Sequence, residues 1–275
     1  PLSVTVTPDA LTKVYGELDP VLTYSLSATS SATLTATGSL TRASEEDVGD
    51  YAIGLGTLSN TNYTLILAPE NFQITLLAVT VTPDALSKTH GEADPLLTYT
   101  LSATSSATLS VVGALSRALG ENVGDYAIGL GTLSNTNYTL NLAAEDFEIT
   151  PLAVDVIPNV LSKTYGEADP LLTYTLSTTS SATLSVVGAL SRALGENMGD
   201  YAINLGTLTN TNYTLSLAPE NFQITPLAVT VTPDALSKTH GEADPLLTYT
   251  LSTTSSATLS VVGALSRSSG ENVGD

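Results

Sequence analysis

The sequence contains no cysteine and no tryptophan, and it has a single methionine. Disulfide bonds and thiolate metal sites are therefore excluded, and each folding unit depends on its apolar core. Basic residues are also scarce, because 8 Lys and Arg stand against 27 Asp and Glu, for a formal net charge of −19. A chain this acidic repels nucleic acids and anionic membranes, so we expect neither as a partner.

Long apolar runs are missing as well. No stretch approaches the roughly 20 residues that a membrane-spanning helix needs, so no membrane span is expected in this segment. Neither a signal peptide nor an anchor is recognisable, and we expect both to lie outside this stretch of the protein. A period of 3.6 residues never persists for three turns, which predicts little helix and at most one helical turn near Asp84–Lys88.

The sequence is highly repetitive. The same proline recurs every 75 residues without insertion or deletion, at Pro8, Pro83, Pro158 and Pro233. A fixed period of this length is typical of tandem domains. We therefore divide the chain into repeat 1 (1–75), repeat 2 (76–150), repeat 3 (151–225) and repeat 4 (226–275). Repeat 4 has no counterpart of Tyr201–Thr225, which carries the last two predicted strands, and we expect the chain to be a window on a longer array.

Repeat 2 shows the strand pattern of all units. Residues Leu77–Thr82 alternate between apolar and polar, with Val79 and Val81 on one face, which is typical of a half-buried strand. Further strands are predicted at 97–102, 109–115, 126–130, 138–142 and 147–149, with a Ser/Thr-rich loop at 103–107. Gly113 is predicted to mark a bulge or a close approach of two backbones. Six or seven short strands with a turn every 8–12 residues favour a sandwich or a barrel.

The boundary between repeats has no flexible linker. Phe147–Thr150 runs directly into Pro151–Val154 without Gly or Ser residues between them. The last strand of one unit is therefore expected to lead into the first strand of the next. A joint of this kind is stiffer than a Gly/Ser linker, and it predicts an elongated rod.

Four linked motifs recur in order along the chain. In repeat 3 they are Tyr165–Tyr174 (YGEADPLLTY), Gly188–Arg192 (GALSR), Gly195–Ile203 (GENMGDYAI) and Leu205–Pro226. This pattern resembles the MBG domain of the YGX type over the entire chain, except that His90 and His240 replace the family's Tyr. The resemblance implies tandem repeats of a very large bacterial surface protein or adhesin, an extracellular location, and no catalytic residues.

The motif positions are expected to be structural. They are Gly16, Asp19, Pro20, Arg42, Gly49 and Tyr51 in repeat 1; Gly91, Asp94, Pro95, Arg117, Gly124 and Tyr126 in repeat 2; and Gly166, Asp169, Pro170, Arg192, Gly199 and Tyr201 in repeat 3. The segment Asp47–Tyr51 also has the D-x-G-x-Y form that precedes a tyrosine corner in immunoglobulin-like domains. The predicted fold is all-β, with tandem Ig-like sandwich repeats; β-grasp-like repeats are the alternative.

Charged residues supply the candidate sites. Asp94 is expected to build a turn with Pro95 by bonding nearby amides, in preference to a carboxylate pair with Glu92. Lys88 and Arg117 are the only cations of repeat 2, and they are predicted to form surface pairs with Glu121 or Asp125 that contribute about 0–1 kcal/mol. Weak calcium candidates are Glu45, Glu46, Asp47 and Asp50. No other metal, cofactor or catalytic residue is expected.

Rings at repeated positions are interpreted as packing residues. His90 and His240 occupy the position of Tyr15 and Tyr165, so a semi-buried ring is favoured over a catalytic group. Core packing is likewise favoured over a sugar-stacking platform for Tyr24, Tyr51 and Tyr63. The sequon Asn62-Tyr63-Thr64 is interpreted as the start of a strand.

These features predict a structural stalk or filament segment that extends a binding region of a bacterial adhesin, and not an enzyme. The expected partners are the neighbouring repeats of the same chain, other copies in a fibre, and a surface glycan or protein ligand. Two alternatives remain. Each repeat can bind a glycan or a protein so that the array acts by avidity, or the chains can assemble laterally into an extracellular fibre.

Overall fold

The computed structural model describes residues 1–31, 33–106, 108–180 and 183–274. Ala107, at the end of the predicted Ser/Thr-rich loop, and Asp275, the last residue of repeat 4, lie outside the described residues. All regular elements in the described part are strands, and no helix there is long and apolar enough to cross a membrane. The prediction of an all-β chain of tandem sandwich repeats is confirmed.

Each complete repeat forms seven strands. Repeat 1 contains β1 (Leu2–Pro8), β2 (Thr12–Val14), β3 (Tyr24–Ser27), β4 (Thr41–Arg42), β5 (Gly49–Gly54), β6 (Tyr63–Leu67) and β7 (Asn71–Thr75). Repeat 2 contains β8 (Leu77–Pro83), β9 (Ser87–Thr89), β10 (Tyr99–Ser102), β11 (Ser116–Arg117), β12 (Gly124–Gly129), β13 (Tyr138–Leu142) and β14 (Asp146–Thr150). Repeat 3 contains β15 (Leu152–Pro158), β16 (Ser162–Thr164), β17 (Tyr174–Ser177), β18 (Ser191–Arg192), β19 (Gly199–Asn204), β20 (Tyr213–Leu217) and β21 (Asn221–Thr225). Repeat 4 contains β22 (Thr230–Pro233) and β23 (Tyr249–Ser252).

The strands of a complete repeat are divided between two sheets. In repeat 1 the sheets have the orders β3-β1-β6 and β2-β7-β5-β4, and repeats 2 and 3 have the same arrangement. The first strand is central in its sheet, where β1 pairs antiparallel with β3 and parallel with β6. The last strand, β7, pairs parallel with β2 and antiparallel with β5. A single β-grasp-like sheet therefore does not describe the repeats.

The core lies between the two sheets, because each sheet turns one apolar face inward. Along β8 every second side chain is buried, and Val79 and Val81 are fully buried. This matches the period of two in the sequence. Phe147 on β14 is fully buried on the facing sheet. The core of repeat 2 consists of Val81, Leu115, Ile128, Leu133, Phe147 and Ile149, and the other complete repeats use the equivalent residues.

The strand predicted at 109–115 does not form. Val112 makes only an isolated bridge to Ser134, and regular pairing begins at Ser116–Arg117. The reason is Gly113, whose φ of 98° is in the left-handed region. A Cβ atom at Gly113 would lie 2.2 Å from the Thr132 carbonyl oxygen, so the predicted close approach is present and it interrupts the strand.

The chain divides into two compact units, Pro1–Thr150 and Pro151–Asp275. The first unit contains repeats 1 and 2, and the second contains repeats 3 and 4. The segment that repeat 4 lacks, Tyr201–Thr225 in repeat 3, carries most of β19 as well as β20 and β21. Three strands are therefore affected, not the two that the sequence pattern predicted.

Candidate functional site

Each repeat gathers its one Lys, its one Arg and two carboxylates into a group that we call the charge cluster. The clusters consist of Lys13, Asp19, Arg42 and Glu46; Lys88, Asp94, Arg117 and Glu121; Lys163, Asp169, Arg192 and Glu196; and Lys238, Asp244, Arg267 and Glu271. Together they use all eight basic residues of the sequence. This explains why the repeats have no basic residue outside the cluster.

In repeat 2, four separate segments bring the charges together. Lys88 lies on β9, Asp94 follows the turn at Gly91, Arg117 ends β11, and Glu121 lies four residues later. Lys88 Nζ is 2.6 Å from Asp94 Oδ1 and also contacts Glu121. Arg117 Nε donates to Asp94 Oδ2 at 2.6 Å, and its Nη2 donates to Glu121 Oε1 at 2.6 Å. Each cation therefore bridges both carboxylates.

The cations are buried although the carboxylates are not. The Lys88 and Arg117 side chains are 4% and 9% exposed, whereas those of Asp94 and Glu121 are 41% and 63% exposed. The Arg117 guanidinium lies over the rings of Tyr126 and Phe147, with its carbon 5.2 and 5.3 Å from the ring centroids. The cluster is thus a layer of cations between the aromatic core and two solvated carboxylates.

Two sequence predictions about these charges are wrong. The cation pairs are not surface pairs, because the cations are packed on the core. Asp125 is not a partner of either cation, since it lies on β12 opposite Glu148 and faces solvent. The carboxylate that bonds a nearby amide is also not Asp94 but Glu92, which accepts from the Thr89 backbone N–H at 2.8 Å.

The cluster is fully ionised at neutral pH. Hydrogen bonds from Arg117 first, and from Lys88 second, lower the pKa of Asp94 to about 2. Hydrogen bonds from Lys88 and Arg117 also lower the pKa of Glu121. Burial alone lowers the pKa of Lys88, but its hydrogen bonds with Asp94 and Glu121 outweigh burial and leave this pKa raised.

The cluster also holds the turn that follows it. Arg117 Nη1 donates to the carbonyl oxygens of Ala118 and Gly120 at 2.9 and 2.7 Å. The Tyr126 hydroxyl donates to the Asn122 carbonyl at 2.7 Å. This is the tyrosine corner predicted from the D-x-G-x-Y form. The turn at 118–122 is therefore fixed at both ends, and the same bonds recur in repeats 1 and 3.

Repeats 1 and 2 meet at a packed interface that we call the joint. The ring of Tyr15 contacts the ring of Tyr138 edge-on, with centroids 5.8 Å apart and planes at 71°. Val14 and Tyr15 pack against a cluster that contains Leu77 and Tyr138, which are 2% and 8% exposed. The equivalent residues of repeat 1, Leu2 and Tyr63, are only partly buried. The N-terminal face of repeat 2 is therefore covered by repeat 1.

Two hydrogen bonds cross the joint beside these rings. The Val48 backbone N–H donates to Asn137 Oδ1 at 2.8 Å, and Asn137 Nδ2 donates to Asp47 Oδ1 at 2.8 Å. Asn137 is 7% exposed, whereas its counterpart Asn62 is exposed. The amide thus satisfies a donor and an acceptor of the preceding repeat at once.

The charge cluster lies directly behind the joint. Lys13 immediately precedes Val14 and Tyr15 in the sequence, and Glu46 immediately precedes Asp47 and Val48. Because Lys13 and Glu46 are tied to each other in the cluster, the two segments that repeat 1 presents to repeat 2 are held together. The cluster therefore determines the surface on which the next repeat packs.

The calcium candidates are occupied by these interactions. Glu46 pairs with Lys13 and Arg42, and Asp47 bonds to Asn137. Within the ranges that the structure describes, no group of three or more His, Asp and Glu residues is placed to hold a metal ion. Glu45 and Asp50 thus do not combine with Glu46 and Asp47 into a group of ligands.

The remaining motif residues support the same region. Gly16, Gly91 and Gly166 have φ values of 79°, 88° and 85° in the turn between the cluster Lys and the cluster Asp. Pro20, Pro95 and Pro170 directly follow that Asp and are exposed, and Gly49, Gly124 and Gly199 begin β5, β12 and β19. Tyr24 and Tyr51 pack against the core of repeat 1, as predicted. His90 is half-buried, and its Nδ1 lies 2.7 Å from the Glu121 carbonyl oxygen.

Replacing Asn137 with alanine is expected to open the joint locally. The Val48 N–H and the Asp47 carboxylate lose their partner, and an unsatisfied buried group of this kind costs about 1–3 kcal/mol. Hydrogen exchange of the Val48 amide should accelerate by about tenfold or more. The matched control is Asn62→Ala, which changes the exposed counterpart and should leave exchange at Val48 unchanged. Equal exchange in both variants would show that Asn137 does not hold the joint.

Comparisons with known proteins agree with the repeat boundaries on sequence. A family model described as "MBG domain (YGX type)" matches residues 4–73, 79–148, 154–223 and 229–275. No curated protein matches the chain. Among solved structures, the I9–I11 tandem from titin is 10% identical, with a TM-score of 0.22; the match covers 81% of this chain and 98% of that one. At that score the titin likeness carries no structural argument.

Proposed function

The chain belongs to the MBG domain (YGX type) family, and on that premise we propose that it is a spacer of an extracellular bacterial surface protein. In this role the repeats hold a binding region away from the cell. The observation that carries the proposal is the joint, where repeat 1 covers Leu77 and Tyr138 of repeat 2 and bonds to Asn137. Packing of this kind resists bending between the two repeats. Catalysis is not part of the proposed role.

The strand order of each complete repeat suits a chain under tension. The chain enters repeat 1 through β1 and leaves it through β7, and both strands have a parallel neighbour, β6 and β2 respectively. Tension along the chain pulls β1 and β7 lengthwise past their neighbours. The backbone hydrogen bonds of a ladder must then break together, not one after another. This geometry supports a spacer that stays folded under load.

Charge favours an extended spacer over a laterally assembled fibre. Because all eight basic residues lie in the charge clusters, the acidic residues outside the clusters have no Lys or Arg to neutralise them. The surface is therefore strongly anionic, and neighbouring chains repel each other.

Pulling the full chain by its two ends in a force spectrometer tests the proposal. We expect three abrupt unfolding events, one for each complete repeat of 75 residues. Each event should lengthen the chain by about 250 Å, less the folded length of one repeat, since an extended residue spans about 3.3–3.6 Å. The Arg117→Ala variant should weaken one of the three events and leave the other two unchanged. Smooth extension at low force, without separate events, would contradict a load-bearing spacer.

A further inference from the structure

Repeat 4 presents an apolar strand with one neighbour missing, which we call the open face. In the complete repeats the first strand is paired on both sides, as β15 is with β17 and β20. Among the described residues β22 pairs only with β23. Val231 on β22 is 42% exposed, although its counterparts Val6, Val81 and Val156 are fully buried. The open face therefore includes both an unpaired strand edge and uncovered core positions.

The charge cluster of repeat 4 is assembled but uncovered. Lys238 Nζ is 2.5 Å from Asp244, and Arg267 Nη2 is 2.6 Å from Glu271. The side chains of Lys238 and Arg267 are 20% and 37% exposed, compared with 3–4% and 6–9% in the complete repeats. The cluster thus keeps the geometry that in the other repeats contacts two aromatic rings.

The segment that covers the equivalent face of repeat 3 is Tyr201–Thr225. Its strand β20 pairs in parallel with β15, and Phe222 on β21 is fully buried beneath Arg192. Tyr201 contributes the second ring to that guanidinium. One segment therefore supplies the missing strand and both rings.

Repeat 4 has almost the same residues as a repeat that is covered in this way. Over 76–125 and 226–275 the two sequences differ at only four positions, Leu76/Pro226, Ala103/Thr253, Ala118/Ser268 and Leu119/Ser269. None of the four is a core or cluster position. The open face therefore has the chemistry that accepts such a segment.

We propose that the open face binds a segment of the Tyr201–Thr225 pattern donated by a second polypeptide. The donor strand pairs in parallel with β22, its Phe fills the core, and its two rings cover Arg267. Residues Tyr201–Thr225 contain one Glu and no other charged residue, so the acidic chain repels them little. The partner is thus a nearly uncharged strand-forming segment of the same family pattern.

A synthetic peptide with the sequence of residues 201–225, added to the full 275-residue chain, tests the proposal. Calorimetry should show saturable binding of one peptide per chain. Trypsin should cleave the free chain first after Lys238 and Arg267, because these are its most exposed basic residues. The peptide should slow cleavage at both sites by at least tenfold. A chain extended after Asp275 by residues 201–225 sets the level of full protection.

Two single changes separate specific binding from general adhesion. A peptide with Phe222→Ala should protect poorly, because the buried ring is lost. A chain with Val231→Asp should also bind poorly, and it should fold like the parent because Val231 is already exposed. Absence of binding by the parent peptide, or equal protection by a scrambled peptide, would overturn the proposal.

Discussion

Replacing Arg117 with alanine is expected to lower the free energy of unfolding of repeat 2 by about 3 kcal/mol, near the lower end of the cost of breaking a buried ion pair. The change leaves Asp94 and Glu121 with Lys88 alone. It also removes the donors to the carbonyls of Ala118 and Gly120. The cost is not larger because both carboxylates remain in contact with water.

Hydrogen exchange followed by mass spectrometry is the suitable measurement for Arg117→Ala, because an array of repeats does not unfold in a single step. The opening equilibrium of repeat 2 should increase by about a hundredfold, since 1.4 kcal/mol corresponds to a factor of ten. Arg117→Lys should be intermediate, because Lys keeps the charge but not the planar fork. The matched control is Arg267→Ala in repeat 4, where the side chain is 37% exposed and a smaller effect is expected. Equal effects at Arg117 and Arg267 would contradict the role assigned to burial.

Acidification is expected to unfold the complete repeats between about pH 4 and pH 2. Asp19, Asp94 and Asp169 have a pKa of about 2 in the folded chain, below the unfolded value of about 3.9. A pKa that is lowered by folding contributes stability above the unfolded pKa. That contribution is lost as the pH falls through the folded pKa. Since every complete repeat has one such Asp, the losses accumulate along the chain.

Repulsion among the acidic residues outside the clusters acts in the opposite direction, because protonation relieves it. Measuring urea unfolding at high salt reduces this term, since exposed charges are screened. The control is Asp94→Asn, which removes one of the titrating groups. Its repeat 2 should be less stable than the parent at pH 7 and should lose less stability between pH 4 and pH 2. Parallel loss in parent and variant would show that the cluster does not control acid unfolding.

The strands that were predicted correctly are those with a strict period of two. Leu77–Thr82 alternates because one face of β8 contacts the core, and burial of Val79 and Val81 follows directly. The segment 109–115 has the same apolar content, but the backbone contact between Gly113 and Thr132 interrupts it. That contact depends on a residue 19 positions away, which the local pattern does not report. The short strand β9 was missed for a similar reason, since it forms only by pairing with β14.

The charge cluster was only partly predictable. The spacing of Arg117 and Glu121 indicated a pair, but nothing in the sequence distinguished Glu121 from Asp125. Burial of the cations was hidden as well, because Phe147 lies 30 residues beyond Arg117. A signal was nevertheless present, since one Lys and one Arg recur at fixed positions in a chain that has no other basic residue. Surface cations vary freely, so invariant positions in a sparse set indicate a structural requirement.

The joint was anticipated from the absence of a linker, but its residues were not. The sequon Asn62-Tyr63-Thr64 was interpreted as a strand start, and β6 does begin at Tyr63. The counterparts of Asn62 and Tyr63 in repeat 2 nevertheless contact repeat 1. A single repeat cannot reveal this role, because these side chains are uncovered until a preceding repeat is present.

Burial of the lysines has a practical consequence for chemical labelling. The ε-amino groups of Lys13, Lys88 and Lys163 are held between two carboxylates and the core, whereas Lys238 is more accessible. An acylating reagent should therefore modify Lys238 first in the folded chain. Modification of any other lysine then reports that its repeat has opened, so each complete repeat carries a built-in reporter of its own unfolding.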